Sequence, residues 1–359
     1  MKHIAIDLGG RESQICVRNE DGTIVEEKRI ETRRLPSYLA RQERSRVIVE
    51  TCAEGFWVAD AAEAAGHEVR VVPATLVGTL GVGARGMKTD RRDARILSEV
   101  SCRIDLPSVH VPSSLSRQCK TICSMREALV SSRTKLVNCA RGWLRSQGVS
   151  LRGRRIAQFP ERLREHCLRD SDEVPAHIER MAVAIEQLTA QIKEATKELD
   201  TLAKQDERCA RMMSVPGVGP VTATRFAAAI DDIDRFPNAH AVQSYLGLTP
   251  GERSSSERTQ RTGITKAGSP ATRWALIQAA WSAWRTRPHD RMVQWARRVA
   301  ERRGTKVAVT ALARKLAGIL YAIWRDDTRY DATRGATQFE LRHVRLEAVP
   351  ARNCTLSAE

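Results

Sequence analysis

His3-Ile-Ala-Ile-Asp-Leu8, Ser13-Gln-Ile-Cys-Val-Arg18 and Thr23-Ile-Val-Glu-Glu-Lys-Arg-Ile30 are short runs rich in β-branched residues, and Glu20-Asp21-Gly22 supplies a turn between the last two. Three antiparallel strands therefore open the chain. A short helix over Leu35 to Gln42 leads to a fourth strand, Arg46-Val-Ile-Val-Glu50. Glu54 to Ala65 reads as a helix ended by Gly66, and Glu68-Val-Arg-Val-Val72 is a fifth strand. A strictly alternating dinucleotide-binding arrangement does not begin with two hairpins, so that class is excluded.

The order β-β-β-α-β-α-β is that of a ribonuclease H-like sheet, and within it two carboxylates stand out. Asp7 breaks an otherwise apolar strand and Glu50 ends another that would be its neighbour. A carboxylate in a buried strand costs several kcal/mol unless something compensates it. Lys88-Thr-Asp-Arg-Arg-Asp-Ala-Arg95 adds Asp90 and Asp93, three apart at the start of a helix and so on one face. Four converging carboxylates repel unless divalent cations sit among them. Two hard cations about 4 Å apart, held by carboxylate oxygens, are the equipment of phosphodiester chemistry. Taken singly the residues say less. Asp90 and Asp93 would be a helix-start pair favoured by the dipole, and Ile6-Asp7-Leu8-Gly9-Gly10 looks like the phosphate loop of actin-like sugar kinases. That kinase reading lacks a second Asp-x-Gly loop in a suitable place.

It also leaves the charge unexplained. Of 359 residues, 59 are Lys or Arg and 43 Asp or Glu, a formal net charge of +16. Residues 111–170 hold 13 Lys/Arg against 4 Asp/Glu, and residues 251–315 hold 15 against 4, which leaves the remainder slightly acidic. Two basic blocks on a near-neutral scaffold are the footprint of a partner with a dense phosphate backbone. With 42% hydrophobic residues the chain suits two or three cored domains. No run of about 18 uninterrupted apolar residues occurs, and the N-terminus enters a strand pattern at His3 in place of a signal sequence. A cytoplasmic, nucleoid-associated protein of bacterial type with no membrane partner is expected. Nine cysteines, odd in number and without a CxxC, are read as reduced thiols.

From Pro112 to about Cys167 the pattern is helical and basic. Val174, Ile178, Met181, Ile185, Leu188, Ile192, Ala195, Leu199 and Leu202 then alternate steps of four and three, the a/d seam of a coiled coil. Such a seam needs a partner helix, from this chain or a second copy. Beyond Cys209 the chain is again helical, with Trp274, Trp281, Trp284 and Trp295 read first as core and second as stacking platforms. The expected division is 1–165 for a ribonuclease H-fold catalytic domain with a basic helical extension, 171–206 for the coiled coil, 207–331 for a mostly helical domain and 332–359 for a tail. Val215-Pro-Gly-Val-Gly-Pro-Val reads as a helix-hairpin-helix turn in which the amides of Gly217 and Gly219 could hold a phosphate, or equally as a plain interhelical turn. Gly251-Glu-Arg-Ser-Ser-Ser-Glu-Arg-Thr-Gln-Arg-Thr-Gly263 reads as a polar loop, in which a serine could attack a phosphodiester while Arg253, Arg258, Arg261 and Lys266 absorb charge. Nothing in the segment is an obvious base, which suggests that the acidic site, from the same or another protomer, meets the serine.

Together these motifs resemble the DEDD transposases of insertion sequences, understood as bridge-RNA-guided recombinases. The resemblance runs from residue 3 to about 331 and rests on Ile4-Ala-Ile-Asp7, Val47-Ile-Val-Glu50-Thr51, Lys88-Thr-Asp90-Arg-Arg-Asp93-Ala94, Val215-Pro-Gly-Val-Gly219, Tyr245-Leu-Gly-Leu-Thr-Pro250 and Gly263-Ile-Thr-Lys-Ala-Gly268. It implies a RuvC-like domain with Asp7, Glu50, Asp90 and Asp93 as magnesium ligands, in a two-metal site. It also implies a coiled-coil insertion and a C-terminal domain carrying a nucleophilic serine, which the family's spacing from Pro250 makes Ser255, with Ser254 and Ser256 as the neighbouring registers. Donor and target DNA, a structured noncoding guide RNA, and self-assembly from dimer to tetramer are its implied partners. The chain departs from the pattern at Cys52-Ala-Glu-Gly-Phe-Trp57, where members carry a Thr-Gly-x-Tyr-like run. The leading expectation is a magnesium-dependent DNA recombinase with a serine-DNA intermediate. A junction-resolving or structure-specific nuclease using water would tolerate loss of Ser255, and a non-enzymatic nucleic-acid scaffold would tolerate loss of Asp7.

Overall fold

The computed structural model describes residues 1–77, 90–151, 155–169, 173–255 and 258–332, with backbone alone at 253–255 and 258–261. Lys88, Thr89, Ser256 and the expected tail beyond 332 lie outside it. Two compact units divide at Ser113 and Ser114.

The first unit is built on a five-stranded sheet: β1 Lys2–Asp7, β2 Glu12–Arg18, β3 Ile24–Glu31, β4 Ser45–Glu50 and β5 Glu68–Val72, ordered β3-β2-β1-β4-β5. β1, β2 and β3 are antiparallel, whereas β1, β4 and β5 run parallel. Mixed α/β structure in this order fits the ribonuclease H-like expectation. α1 (Leu35–Leu39) and α2 (Gly55–Ala64) cover one face, burying Ile4, Ile6, Val47 and Val49. α3 (Ala74–Val77) and α4 (Asp90–Arg103) lie on the other, where Ala5, Ile48 and Val72 are buried with Val77 and Leu97. Strand residues alternate faces, so each of the two sets selects its own helices. The departure at Cys52 is a short turn: the Gly55 amide donates to the Cys52 carbonyl at 3.3 Å, and Gly55 abuts the Glu50 carbonyl where a Cβ would crowd it.

The second unit contains α5 (Ser114–Ser146), α6 (Phe159–Cys167), α7 (Ala176–Gln205), α8 (Glu207–Met212), α9 (Pro220–Ile230), α10 (Ala239–Tyr245), a hairpin of β6 (Pro250–Ser255) and β7 (Arg258–Ile264), α11 (Pro270–Thr286), α12 (Arg291–Arg303) and α13 (Thr305–Arg325). The basic helical extension grouped with the first domain from the sequence is α5, which packs against α7 and α9 here. The heptad seam has its partner within the chain. Ile178 and Ile185 are buried with Val137, Ala140 and Leu144 of α5, and polar rungs continue the pair: Arg133 donates to Thr189 and Arg126 to Thr196. The seam's alternate row, Met181, Leu188, Ala195 and Leu202, is only half-buried.

α13 is long and apolar enough by composition to cross a membrane, yet it is the central core helix of this unit, with Leu312, Leu316 and Leu320 fully buried. The eight cysteines of the described residues are free thiols.

Candidate active site

Alternation along the strands puts the two carboxylates on one face. Because Ala5 and Ile48 face α4, so do His3, Asp7, Arg46 and Glu50. The parallel register joins Ile6 to Val49, so Asp7 and Glu50 follow as the next residues at the C-terminal ends of adjacent strands, about 4.8 Å apart in backbone spacing.

α4 runs antiparallel to β1. His3 Nδ1 and Ser101 Oγ lie 2.8 Å apart at one end, and Ser98 Oγ contacts the sulfur of Cys16, which pairs with Ala5. Stepping back eight helical residues from Ser101 to Asp93 covers about 12 Å, and four strand residues from His3 to Asp7 cover about 13 Å. Asp93 is therefore level with the acidic strand ends. Asp93 is 3% exposed, and among the described residues its buried Oδ1 has no hydrogen-bond partner. An unsatisfied buried carboxylate oxygen costs roughly 1–3 kcal/mol or more. Asp90, the first residue of α4, is exposed.

The sequence reading missed what fixes this helix end. Glu27 of β3 takes ion pairs from both Arg91 and Arg95, which flank Asp93. The Arg95 guanidinium, with Arg91 behind it, pulls the Glu27 carboxyl down to about 2. Two arginines one helical turn apart opposite a strand glutamate were the available signal, but only the fold sets them face to face.

Four acidic oxygen donors, one of them with an orphaned buried atom, fit a hard divalent cation by chemistry. Among the described residues no three His, Cys, Asp or Glu side chains are gathered closely enough to hold an ion. The structure thus brings Asp7, Glu50 and Asp93 to one end of one face without closing them into a coordination shell.

The serine segment differs from its reading as a loop. Residues 250–264 form an antiparallel hairpin with Ser255 paired to Arg258, the last pair before the tip. The strands lack apolar alternation, which is why a period-two pattern was not visible. The side chains of Arg253, Ser254, Ser255, Arg258 and Arg261 lie outside the described ones; Lys266 is exposed, with φ +58°.

The hairpin's register is set at its root. Gly247 (φ +67°) and Gly268 (φ +71°) press against backbone, and a Cβ on either would overlap the carbonyl of Ala267 or Tyr245 respectively. Arg273 of α11, 8% exposed, donates from one terminal nitrogen to the carbonyls of Leu246 (3.1 Å) and Ala267 (2.9 Å). The amides of Thr265 and Lys266 donate to the carbonyls of Thr249 and Gly247. The Tyr245–Pro250 and Gly263–Gly268 motifs are therefore parts of one clamp.

In the turn between α8 and α9, Gly217 (φ +86°) is pressed against α11, where a Cβ would overlap Ala279 and Ala283. Packing explains that glycine. Gly219, at the N-cap of α9, has open space around it. Of the tryptophans, Trp281, Trp284 and Trp295 pack at the core's edge, whereas Trp274 is largely exposed.

Known proteins match both units. The family model described as DEDD transposase matches residues 4–147, and that of the transposase IS116/IS110/IS902 family matches residues 209–294. The transposase for insertion sequence element IS1111A of Coxiella burnetii is 27% identical over 336 residues, covering 90% of this chain and 89% of that protein. The transposase for insertion sequence element IS1328 of Yersinia enterocolitica is 28% identical over 339 residues, covering 90% and 97%. A putative transposase of Sinorhizobium fredii, y4rJ, is 30% identical over 310 residues, covering 78% and 76%. The acid-bearing sheet and the clamped hairpin both fall inside these alignments, and the chain belongs to the IS116/IS110/IS902 family of insertion-sequence transposases.

Proposed function

We propose that this transposase cuts and rejoins DNA through a covalent serine-DNA intermediate, with magnesium held by Asp7, Glu50, Asp93 and Asp90. The observation that carries the metal assignment is the buried, unpartnered Oδ1 of Asp93, level with the carboxylates that end β1 and β4. Bound divalent cations would supply stabilisation of charge at the attacking and leaving oxygens of the phosphodiester.

Ser255 is the nucleophile by the family's spacing from Pro250, and Arg253, Arg258, Arg261 and Lys266 are cations within the same hairpin and its root. Its Oγ forms a bond to phosphorus as the strand's P–O bond breaks. The hydroxyl proton leaves Oγ and the departing strand oxygen gains one. A hydroxyl of the partner strand then attacks the same phosphorus and releases Ser255, so the phosphodiester energy is conserved without a nucleotide cofactor. The clamp at the hairpin root holds the register in which Ser255 is presented. The amide of Gly219 at the start of α9 is suited to a backbone phosphate. A structured noncoding RNA paired with donor and target DNA selects the strands, two dimers assemble on them, and the two basic blocks supply phosphate contacts.

Labelled suicide DNA on denaturing gels tests the serine. An adduct in the wild type that disappears in Ser255→Ala, and persists in Ser254→Ala and Ser256→Ala, is expected. Loss in a neighbouring variant instead would move the register by one. Cleavage without an adduct in any variant would mean that water is the nucleophile, as in a metal-dependent nuclease.

A further inference from the structure

Trp274 is 51% exposed although it lies in the second turn of a helix packed into the core. A single exposed aromatic is ordinary, but one continued by further aromatics and rimmed by cations marks a contact surface. Along α11 the residues at steps of four, seven and eleven from it, Gln278, Trp281 and Arg285, share its side of the helix. Gln278 and Arg285 are exposed and Trp281 is half-buried. The buried positions Ala275, Leu276, Ala279, Ala280 and Ala283 occupy the opposite side, so this ridge is the solvent face of α11.

The ridge continues at both ends. Trp281 meets Trp284 edge to face at 6.5 Å between centroids, and the Arg297 guanidinium lies 5.2 Å over Trp284. At the start of α11 the Tyr245 backbone abuts Gly268, and Tyr245, 43% exposed, carries Arg235 5.5 Å over its ring. An aromatic ring carrying a guanidinium thus stands near each end of α11, Tyr245 with Arg235 and Trp284 with Arg297, and Trp274 and the cation Arg285 lie on its solvent face.

We propose that this ridge is a stacking surface for an unpaired DNA strand. Aromatic platforms interleaved with cations suit single strands, because every base offers a π-face and the backbone follows the charge. Trp274 and Trp281 are separated along the axis by about 10.5 Å, close to three base steps of about 3.4 Å. Arg285 on the ridge and Arg297 beside Trp284 complement phosphate, and the segment that carries them, residues 251–315, holds 15 Lys/Arg against 4 Asp/Glu, an excess that favours a polyanion over a second copy of the same segment. Strand exchange passes through unpaired segments, which gives DNA such a strand; the proposal rests on transposition and not on Ser255 as nucleophile.

The full chain is titrated with fluorescently labelled 20-mers of thymidine, of uridine and of abasic deoxyribose phosphate. Trp274→Ala should weaken the thymidine 20-mer at least about fivefold, as expected for the loss of one stacked base, and leave the abasic strand within twofold. Trp274→Tyr should restore most of the affinity, and the exposed position should leave the unfolding temperature unchanged. Equal loss on the thymidine and abasic strands, or loss on neither, would overturn the stacking surface. A Trp274-dependent preference for the uridine strand would assign the ridge to RNA instead. A drop in sedimenting mass with unchanged DNA affinity would assign it to a protein interface. Each of these results is independent of whether a serine adduct forms.

Discussion

Asp93 holds an unsatisfied buried oxygen at the first turn of α4, and a side chain kept at a cost to folding is most simply kept for chemistry. Asp93→Asn should therefore abolish DNA cleavage while the unfolding temperature stays level or rises, since the substitution removes a buried charge and no hydrogen bond to Oδ1. Strand-cleavage assays with magnesium and thermal unfolding on the same preparation check this. Full cleavage would remove the metal role, and a loss of many degrees would show that the carboxylate stabilises the fold. DNA affinity should persist, because the Lys and Arg side chains carry it.

At the scale of elements, α7 shows how much periodicity can and cannot say. The seam from Val174 to Leu202 announces that a partner exists, and the structure supplies α5 and α6 as that partner over Ile178 and Ile185. Assembly through those buried positions is therefore replaced by an intrachain core. Ile185→Asp with Ile192→Asp should cut helical circular dichroism and lower the unfolding midpoint sharply, each buried aspartate costing several kcal/mol. A variant that stays fully folded and only loses mass by light scattering would restore the seam to an intermolecular role. The strands of the first unit were legible because they are short apolar runs rich in β-branched residues, and Asp7 and Glu50 because one breaks and the other ends such a run. The β6–β7 hairpin was not, since its polar strands carry no period and its register is set by Gly247, Gly268 and Arg273 from elsewhere in the chain. Glu27 escaped notice for the same reason: its meaning depends on Arg91 and Arg95, more than sixty residues away.

Across the whole molecule the charge divides as the contacts do. Residues 1–113 hold 17 Lys/Arg and 17 Asp/Glu, so the entire net charge of +16 belongs to residues 114–359. The unit with the acidic residues is neutral, and the helical unit carries the positive charge. Each neutralised phosphate releases condensed counterions, so affinity for duplex DNA should fall by at least about a hundredfold between 50 and 200 mM salt. Fluorescence anisotropy across that range measures the slope; a nearly flat dependence would mean that the basic side chains face solvent in the complex.

The backbone contact at the hairpin root also reaches into the history of the gene. Gly247 and Gly268 have no room for any side chain, and neither can be compensated at the other because each meets a main-chain carbonyl. A genomic copy in which either codon has come to encode another residue is expected to have lost transposition even with every acidic residue and every serine intact. A single codon would then be enough to mark a silent copy.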